Sequence, residues 1–160
     1  MTTSHPSKQQ LIGHLIAAFR EAGNQDLAFE EVAARRLGIG AVEMRCLNVI
    51  ENAGGLTAGE LAREVGVTTG AVTGVLDRLE RARYARRDPD PEDRRRVRVT
   101  VTPEFRSRAA EIWGPLAADW HRELAAGFTA AELQTIIGFL ELTGEIGARH
   151  LERLGGRTAG

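Results

Sequence analysis

The fold of this chain is decided by residues 57–102, which read TAGELAREVGVTTGAVTGVLDRLERARYARRDPDPEDRRRVRVTVT. The segment predicts a short helix, a tight turn at Gly66 and a second helix that begins with small hydroxyl-bearing residues. An arginine-rich hairpin and a strand of strictly alternating residues, 97–102, follow. This order of elements is typical of a winged helix-turn-helix, which places its second helix in the major groove of duplex DNA and a β-loop beside it. We therefore expect a DNA-binding lobe.

Helices are predicted on the N-terminal side of this lobe as well as within it. Apolar residues at helical spacing predict a long first helix over about residues 8–36, followed by a second, shorter one. Thr57 and Glu60 form the sequence pattern of a capping box, which starts a helix over residues 58–65. The next helix, the expected recognition helix, is predicted over about residues 69–83.

Two further helices are predicted after the hairpin. Thr102 caps the first of them, and Pro103 stands at its first position, where the missing N–H costs nothing. Gly114-Pro115 predicts a kink in this helix near Trp113. The last helix opens at Thr129 with a second capping box.

The fold class that follows is mainly α with a small β-wing. We expect an N-terminal dimerisation helix (1–40), a winged helix-turn-helix lobe (41–102) and C-terminal dimerisation helices (103–160), which form one intertwined unit. The long helices are assigned to dimerisation because they carry apolar stripes that the small lobe cannot cover. A closed two-fold assembly is the commonest way to bury such surfaces.

Charge is distributed unevenly along the chain. The formal net charge is only −1, but residues 78–98 contain nine arginines and five acids, a surplus of four that leaves −5 for the remainder. A basic stripe on an acidic body favours local binding of phosphate and limits non-specific contact elsewhere. The charge pattern therefore agrees with a DNA-binding wing.

Composition excludes several other classes of protein. No apolar stretch approaches the ~18 residues of a membrane-spanning helix, and the N-terminus lacks the layout of a signal peptide, so we expect a cytoplasmic protein. The single cysteine, Cys46, excludes an intramolecular disulfide and a cysteine-built zinc site. The four histidines are scattered without metal-ligand spacing. Neither a metal nor a cofactor is expected.

The start of the recognition helix has the residue types that close approach to DNA requires. Small side chains let the backbone reach the floor of the groove, threonine hydroxyls bind phosphates or base edges, and the helix N-terminus attracts a phosphate. The alternative is that a threonine merely caps the helix and the glycines are packing compromises, although each interior glycine costs about 1 kcal/mol against alanine. The candidate DNA-binding residues here are Thr68, Thr69, Gly70, Ala71, Thr73 and Arg78.

The tip of the hairpin adds four charged candidates: Asp93, Arg94, Arg95 and Arg96. Arginine is favoured in a narrow minor groove because the negative potential there is enhanced. A charge run of this kind is often only a solvated loop. Its position on a turn next to the recognition helix favours contact with DNA.

The residues GAVTGVLDRLER (70–81) and RRDPDPEDRRRVRVTVTPE (86–104) resemble the signature of the MarR family, the multiple antibiotic resistance regulators. The resemblance implies a homodimer whose first, fifth and sixth helices interlock. It also implies repression of a promoter through a palindromic site, relieved by a small phenolic or lipophilic ligand. The family's Asp-x-Arg wing pattern falls on Asp93 and Arg95. It implies that Asp93 braces the wing and that Arg95 enters the minor groove with Arg94 beside it.

An effector would bind between the DNA-binding lobe and the dimerisation helices. The candidate lining residues are His14, Met44 and Trp113, and the alternative is that Met44 and Trp113 are plain core residues. Three other hypotheses stay open at this point. The chain could be a ligand-independent DNA-binding or anti-repressor module, a redox sensor that uses Cys46, or an enzyme. The last is disfavoured because no phosphate loop, nucleophile turn or paired carboxylates are recognisable.

Overall fold

The computed structural model of the chain describes residues 5–90, 93 and 95–155. Within these ranges it contains six α-helices and a two-stranded antiparallel sheet. In chain order the elements are α1 (Lys8–Leu37), α2 (Ala41–Asn52), α3 (Ala58–Val65), α4 (Thr69–Arg81), β1 (Ala85–Pro89), β2 (Val97–Val101), α5 (Pro103–Gly127) and α6 (Ala130–Gly155). The predicted mainly α fold with a small β-wing is confirmed.

The chain divides into two compact units, one ending at Ile112 and the other starting at Trp113. The first unit contains the helix-turn-helix and the hairpin, and the second contains the rest of α5 and all of α6. The three-part division at residues 40 and 102 concerns assembly with a second copy and stays a prediction. None of the described helices is long and apolar enough to cross a membrane.

Local signals place the ends of α3 where the sequence predicts them. The Thr57 hydroxyl accepts from the Glu60 amide at 3.3 Å, and the Glu60 carboxylate accepts from the Thr57 amide at 2.8 Å, which completes the capping box. Gly66 ends the helix in the left-handed conformation, with φ 75°. Such a backbone conformation favours glycine, so the tight turn follows from the sequence.

Helix α4 ends two residues earlier than predicted. Its last residue is Arg81, and Arg83 takes the left-handed conformation with φ 61°. This turn brings Tyr84 into the core, where it is 3% exposed and its hydroxyl donates to the Leu37 carbonyl at 3.0 Å. Tertiary burial of the tyrosine therefore sets the helix end, which helical periodicity did not indicate.

The hairpin pairs β1 with β2 in the register Ala85↔Val101 to Pro89↔Val97. The loop before α3 joins this sheet through Leu56, whose amide and carbonyl each bond Val99, at 3.0 and 2.7 Å. Val99 and Val101 are buried, but Val97 is 53% exposed. The predicted buried face of β2 is therefore wrong at its first residue, the one nearest the hairpin tip.

The core of the first unit forms where α2, α3, α4 and β2 meet. Its largest fully buried side chains are Met44, Leu47, Ile50, Leu61, Leu76, Leu79, Val72, Val99 and Cys46. Burial of these apolar groups is the main favourable term for the lobe. It also determines which face of each helix points outward.

The long helices leave much apolar surface uncovered within the chain. Helix α5 continues through Pro115, and whether its axis bends at Gly114-Pro115 stays a prediction. The Thr129–Glu132 capping box of α6 is present as predicted. Large apolar side chains that remain at least two-fifths exposed on α1, α5 and α6 include Leu11, Ile12, Leu15, Ile16, Phe19, Trp120, Leu124, Ile137, Leu140, Ile146, Leu151 and Leu154.

Two valines test how the lobe core is held together. Val72 on α4 is fully buried, whereas Val42 on α2 is 48% exposed. We predict that Val72→Ala lowers the free energy of unfolding by about 2–3 kcal/mol, since it removes two buried methyl groups and leaves a cavity. Val42→Ala should lower the free energy of unfolding by well under half of that amount. Urea denaturation of both variants at one protein concentration measures the difference, and equal losses would contradict this assignment of the core.

Candidate nucleic-acid interface

The predicted DNA-binding residues of α4 lie on its solvent-exposed face. Thr69, Gly70, Ala71 and Thr73 are exposed, while the opposite face of the helix is buried. Thr68 caps the helix, and its hydroxyl accepts from the Ala71 amide at 3.3 Å. The first turn of α4 therefore offers amide groups and small side chains to the solvent.

No neighbour within the described chain explains the small residue at Gly70. A Cβ built at Gly70 meets nothing within 4 Å, and one built at Gly74 comes only to 3.8 Å from the Arg78 guanidinium. Packing inside the chain therefore does not require either glycine. This finding weighs against the interpretation of these glycines as packing compromises.

Arg78, on the next turn of α4, is held by a carboxylate of α2. Its Nε lies 2.6 Å from the Glu43 Oε1, with the arginine side chain about half exposed. Desolvation by burial raises the pKa of Glu43, but hydrogen bonds from Arg78 and from backbone amides, with the attraction of the Arg78 charge, outweigh it and lower the pKa overall. Glu43 therefore already orients the Arg78 side chain that the sequence predicts to contact DNA.

A tight turn orders the tip of the wing. The Asp93 carboxylate accepts from the Arg95 amide at 3.0 Å, and the Asp93 carbonyl accepts from the Arg96 amide at 2.8 Å. The Arg96 carbonyl in turn accepts from the Asp90 amide at 2.9 Å. Arg95 is exposed at this turn. Arg94, the fourth predicted residue of the tip, lies outside the described residues.

Several arginines of the basic stripe are paired with acids, which the sequence did not indicate. Arg87 of β1 binds the carboxylates of Glu80 and Asp77, both on α4. Arg96 donates to Glu60 at 2.9 Å, and Arg86 pairs with Asp88. These pairs neutralise part of the stripe, and those of Arg87 and Arg96 also join the wing to α4 and α3.

Glu60 has a double role at the base of this interface. Hydrogen bonds from the amide and hydroxyl of Thr57, and to a lesser degree the contact with Arg96, lower the pKa of Glu60 from 4.5 to about 2. The capping pattern of the sequence identifies Glu60 as a helix start. Its partner Arg96 lies 36 residues further along the chain, so only the folded lobe reveals the pair.

The three predicted effector residues are found in different surroundings. Met44 is 1% exposed in the lobe core, His14 is exposed on α1, and Trp113 is half-buried in the second unit. Met44 therefore faces core neighbours, in agreement with the plain-core alternative. The first unit also has a groove of about 330 Å³, which none of the three lines. Its lining residues are Arg36, Leu37, Arg108, Glu111 and Ile112.

Cys46 is fully buried between α2 and the rest of the core. Desolvation by burial, together with the nearby Glu43 charge, raises the pKa of its thiol. A protonated, inaccessible thiol is a poor nucleophile. The surroundings of Cys46 thus favour a packing role over peroxide sensing.

Comparison with known proteins gives the family. The sequence model of the MarR family matches residues 37–96, which include the helix-turn-helix and the tip of the wing. An uncharacterized HTH-type transcriptional regulator of Bacillus subtilis (strain 168), YcgE, is 33% identical over 148 residues, which cover 92% of this chain and 96% of the relative. The chain belongs to the MarR family.

Solved structures of similar proteins support the same fold. Streptococcus pneumoniae FabT in complex with DNA has a TM-score of 0.59 at 27% identity, covering 92% of this chain and 99% of that one. A mutant E. coli MarR complexed with operator DNA has a TM-score of 0.52 at 26% identity, covering 86% and 99%. This MarR-family protein is a DNA-binding transcriptional regulator with a winged helix-turn-helix. The family and these relatives are regulators and not enzymes, which confirms the prediction of a non-enzyme.

The lowered pKa of Glu60 leads to a test of what its negative charge contributes to the stability of this MarR-family protein. The folded value of about 2 lies below the ordinary 4.5, so ionised Glu60 stabilises the fold above about pH 4.5, and the contribution is lost as pH falls towards 2. We predict that Glu60→Gln is less stable than the wild type at neutral pH and that the gap narrows as the pH falls through this window. Urea denaturation of both proteins at a series of pH values measures this difference in the free energy of unfolding.

Glu64→Gln is a suitable control for this comparison because Glu64 is an exposed acid on the same helix, outside the capping box. A stability gap for Glu60→Gln that equals the gap for Glu64→Gln at every pH would show that the capping carboxylate contributes nothing specific.

Proposed function

We propose that this protein is a homodimeric repressor that binds an inverted-repeat operator and is released by a small aromatic or lipophilic ligand. The observation that carries the proposal is the exposure, on one lobe, of both the small-residue start of α4 and the ordered arginine turn of the wing. Relatives of similar fold have been crystallised with DNA. Together these features support contact with two adjacent grooves of one duplex.

Helix α4 is proposed to enter the major groove with its first turn. Thr69, Gly70, Ala71 and Thr73 present little bulk, so the backbone can approach the base edges. The Thr73 hydroxyl donates to the Thr69 carbonyl at 3.0 Å, which leaves its oxygen lone pairs to accept from a base or a water. Thr68 and the free amides at the helix start suit a phosphate.

The wing is proposed to place Arg95 in the neighbouring minor groove. Its guanidinium supplies positive charge where the duplex concentrates negative potential. Asp93 contributes indirectly, because its carboxylate binds the Arg95 amide and thereby shapes the turn. Arg94 is proposed to contact the backbone beside it.

Substitutions of Asp93 and Arg95 give the most direct test of the proposed contact between the wing and DNA. We predict that Arg95→Ala weakens specific DNA binding by about 1–3 kcal/mol, the scale of a specific arginine contact. Asp93→Ala should also weaken binding, although it removes a negative charge near phosphates, because the turn loses its brace. Affinities are measured at one salt concentration on a duplex that the wild-type protein has selected from a random-sequence pool.

Circular dichroism confirms that both variants are folded. If the wing were only a solvated charge run, Asp93→Ala would tighten binding and Arg95→Ala would leave the affinity unchanged. Either result would refute the proposed wing contact.

The exposed apolar faces of α1, α5 and α6 support the proposed homodimer. We predict a stable species of twice 17.4 kDa at micromolar concentration, because burial of these faces between two copies removes apolar surface from water. Two-fold symmetry then places two recognition helices roughly 34 Å apart, so footprinting should protect an inverted repeat of about 16–20 base pairs. Light scattering that gives a monomer, or equal protection of single asymmetric half-sites, would disprove this arrangement.

Release by a ligand is the finer part of the proposal. The groove beside Arg36 and Arg108 lies at the C-terminal end of α1, where the Tyr84 hydroxyl accepts from Arg108 at 3.4 Å. The two arginines beside this groove support the proposal that it binds a small aromatic acid. Salicylate added to the complex of the protein with its selected duplex should dissociate the complex. Repression is tested separately, by whether the protein reduces transcription from a promoter in vitro. A complex that aromatic acids leave intact would favour the ligand-independent or anti-repressor alternative.

A further inference from the structure

We propose that Glu60 is a wing-positioning residue, which ties the tip of the wing to the start of α3 and so sets where Arg95 meets DNA. The inference rests on the proposed contact between the wing and DNA. It assigns to Arg96 a structural role, in place of the direct DNA contact that its position in the arginine run suggests.

The Glu60 carboxylate divides its two oxygens between two elements. Oε2 accepts from the amide and the hydroxyl of Thr57, both at 2.8 Å, and Oε1 accepts from the Arg96 guanidinium at 2.9 Å. The next residue along α3, Leu61, is fully buried in the lobe core. The carboxylate is therefore held on a rigid support by the capping box and reaches the wing from it.

Arg96 connects this support to the tip through the backbone. Its amide donates to the Asp93 carbonyl at 2.8 Å, and its carbonyl accepts from the Asp90 amide at 2.9 Å. The Asp93 carboxylate binds the amide of Arg95 at 3.0 Å. A displacement of Arg96 thus moves the same turn that presents Arg95.

Nearer to the helices, the wing is attached by other bonds. Leu56 pairs with Val99, and Arg98 donates to the Gly55 carbonyl at 2.8 Å. On the opposite strand Arg87 binds Glu80 and Asp77. Farther out than Arg98, the ion pair of Glu60 with Arg96 joins the tip to the start of α3. Its loss would leave the base of the wing in place and allow the tip more movement.

The test uses Glu60→Gln, because glutamine is also accepted at the third helical position of a capping box. Its single amide oxygen can still accept from Thr57, whereas its NH2 group cannot accept from the Arg96 guanidinium. Glu132→Gln is the matched control: Glu132 caps α6 with Thr129 in the same geometry, and the described residues give it no arginine partner. Arg96→Ala removes the other half of the pair. The DNA is a duplex that the wild-type protein has selected from a random-sequence pool.

We expect Glu60→Gln and Arg96→Ala each to weaken binding about two- to fivefold, the range that one exposed ion pair supplies. The double variant should be no weaker than either single variant, since both remove the same link. Neither should change the dependence of affinity on salt, whereas loss of a phosphate contact lowers that slope by about 1. Glu132→Gln should bind as the wild type does.

A nitroxide label at Val97→Cys reports the wing without DNA, and it can be directed there because Cys46 is buried. Its spectrum should show a more mobile tip in Glu60→Gln and an unchanged tip in Glu132→Gln. An unchanged label spectrum in Glu60→Gln, tighter DNA binding by that variant, or a reduced salt slope in Arg96→Ala overturns the inference.

Arg95→Ala separates failure of this inference from failure of the proposed function. If Arg95→Ala leaves the affinity unchanged, the wing does not contact DNA and both proposals fall. If Arg95→Ala weakens binding while Glu60→Gln does not, the wing contact stands and the positioning role of Glu60 is wrong.

Discussion

The functional surface of this protein depends on the burial of one face of α4. Val72, Val75, Leu76 and Leu79 are at most 4% exposed, and they pack where α4 meets α2 and α3. Rotating the helix would expose these side chains and lose their transfer free energy, of the order of 2 kcal/mol each. The same constraint points Thr69, Gly70 and Thr73 outward. The solvent face of the proposed recognition helix is thus a consequence of how its other face packs.

The ion pairs of the lobe fix the positions of arginine side chains as well as neutralising their charge. Glu43 holds Arg78, Glu60 holds Arg96, and Glu80 with Asp77 holds Arg87. Each pair joins two different elements of the lobe, and exposed pairs of this kind add little to stability. Their common effect is to restrict where the arginines lie. If this surface meets two grooves of a duplex, as proposed, such restriction favours binding because less side-chain freedom is lost.

The sequence by itself determined the fold class and most element boundaries of this MarR-family regulator, because those depend on local signals. Capping boxes at Thr57 and Thr129 and the left-handed Gly66 act within a few residues, and so does the alternation that predicts β2. The hydrogen bond between Asp93 and Arg95 is also short-range, since it spans two residues, although only the resemblance to the MarR family implied it. Short-range chemistry of this kind can be recognised from the order of residues alone.

Only the tertiary structure decided the features that depend on residues far apart in the chain. Burial of Tyr84 against Leu37 ends α4 early, and the core of the lobe encloses Met44, for which the sequence left both an effector cleft and a plain core position open. The exposure of Val97 and the pairing of Glu60 with Arg96 follow in the same way from how the hairpin lies on α3. Spacing along the chain cannot indicate such contacts, because they exist only once the packed core has brought the elements together.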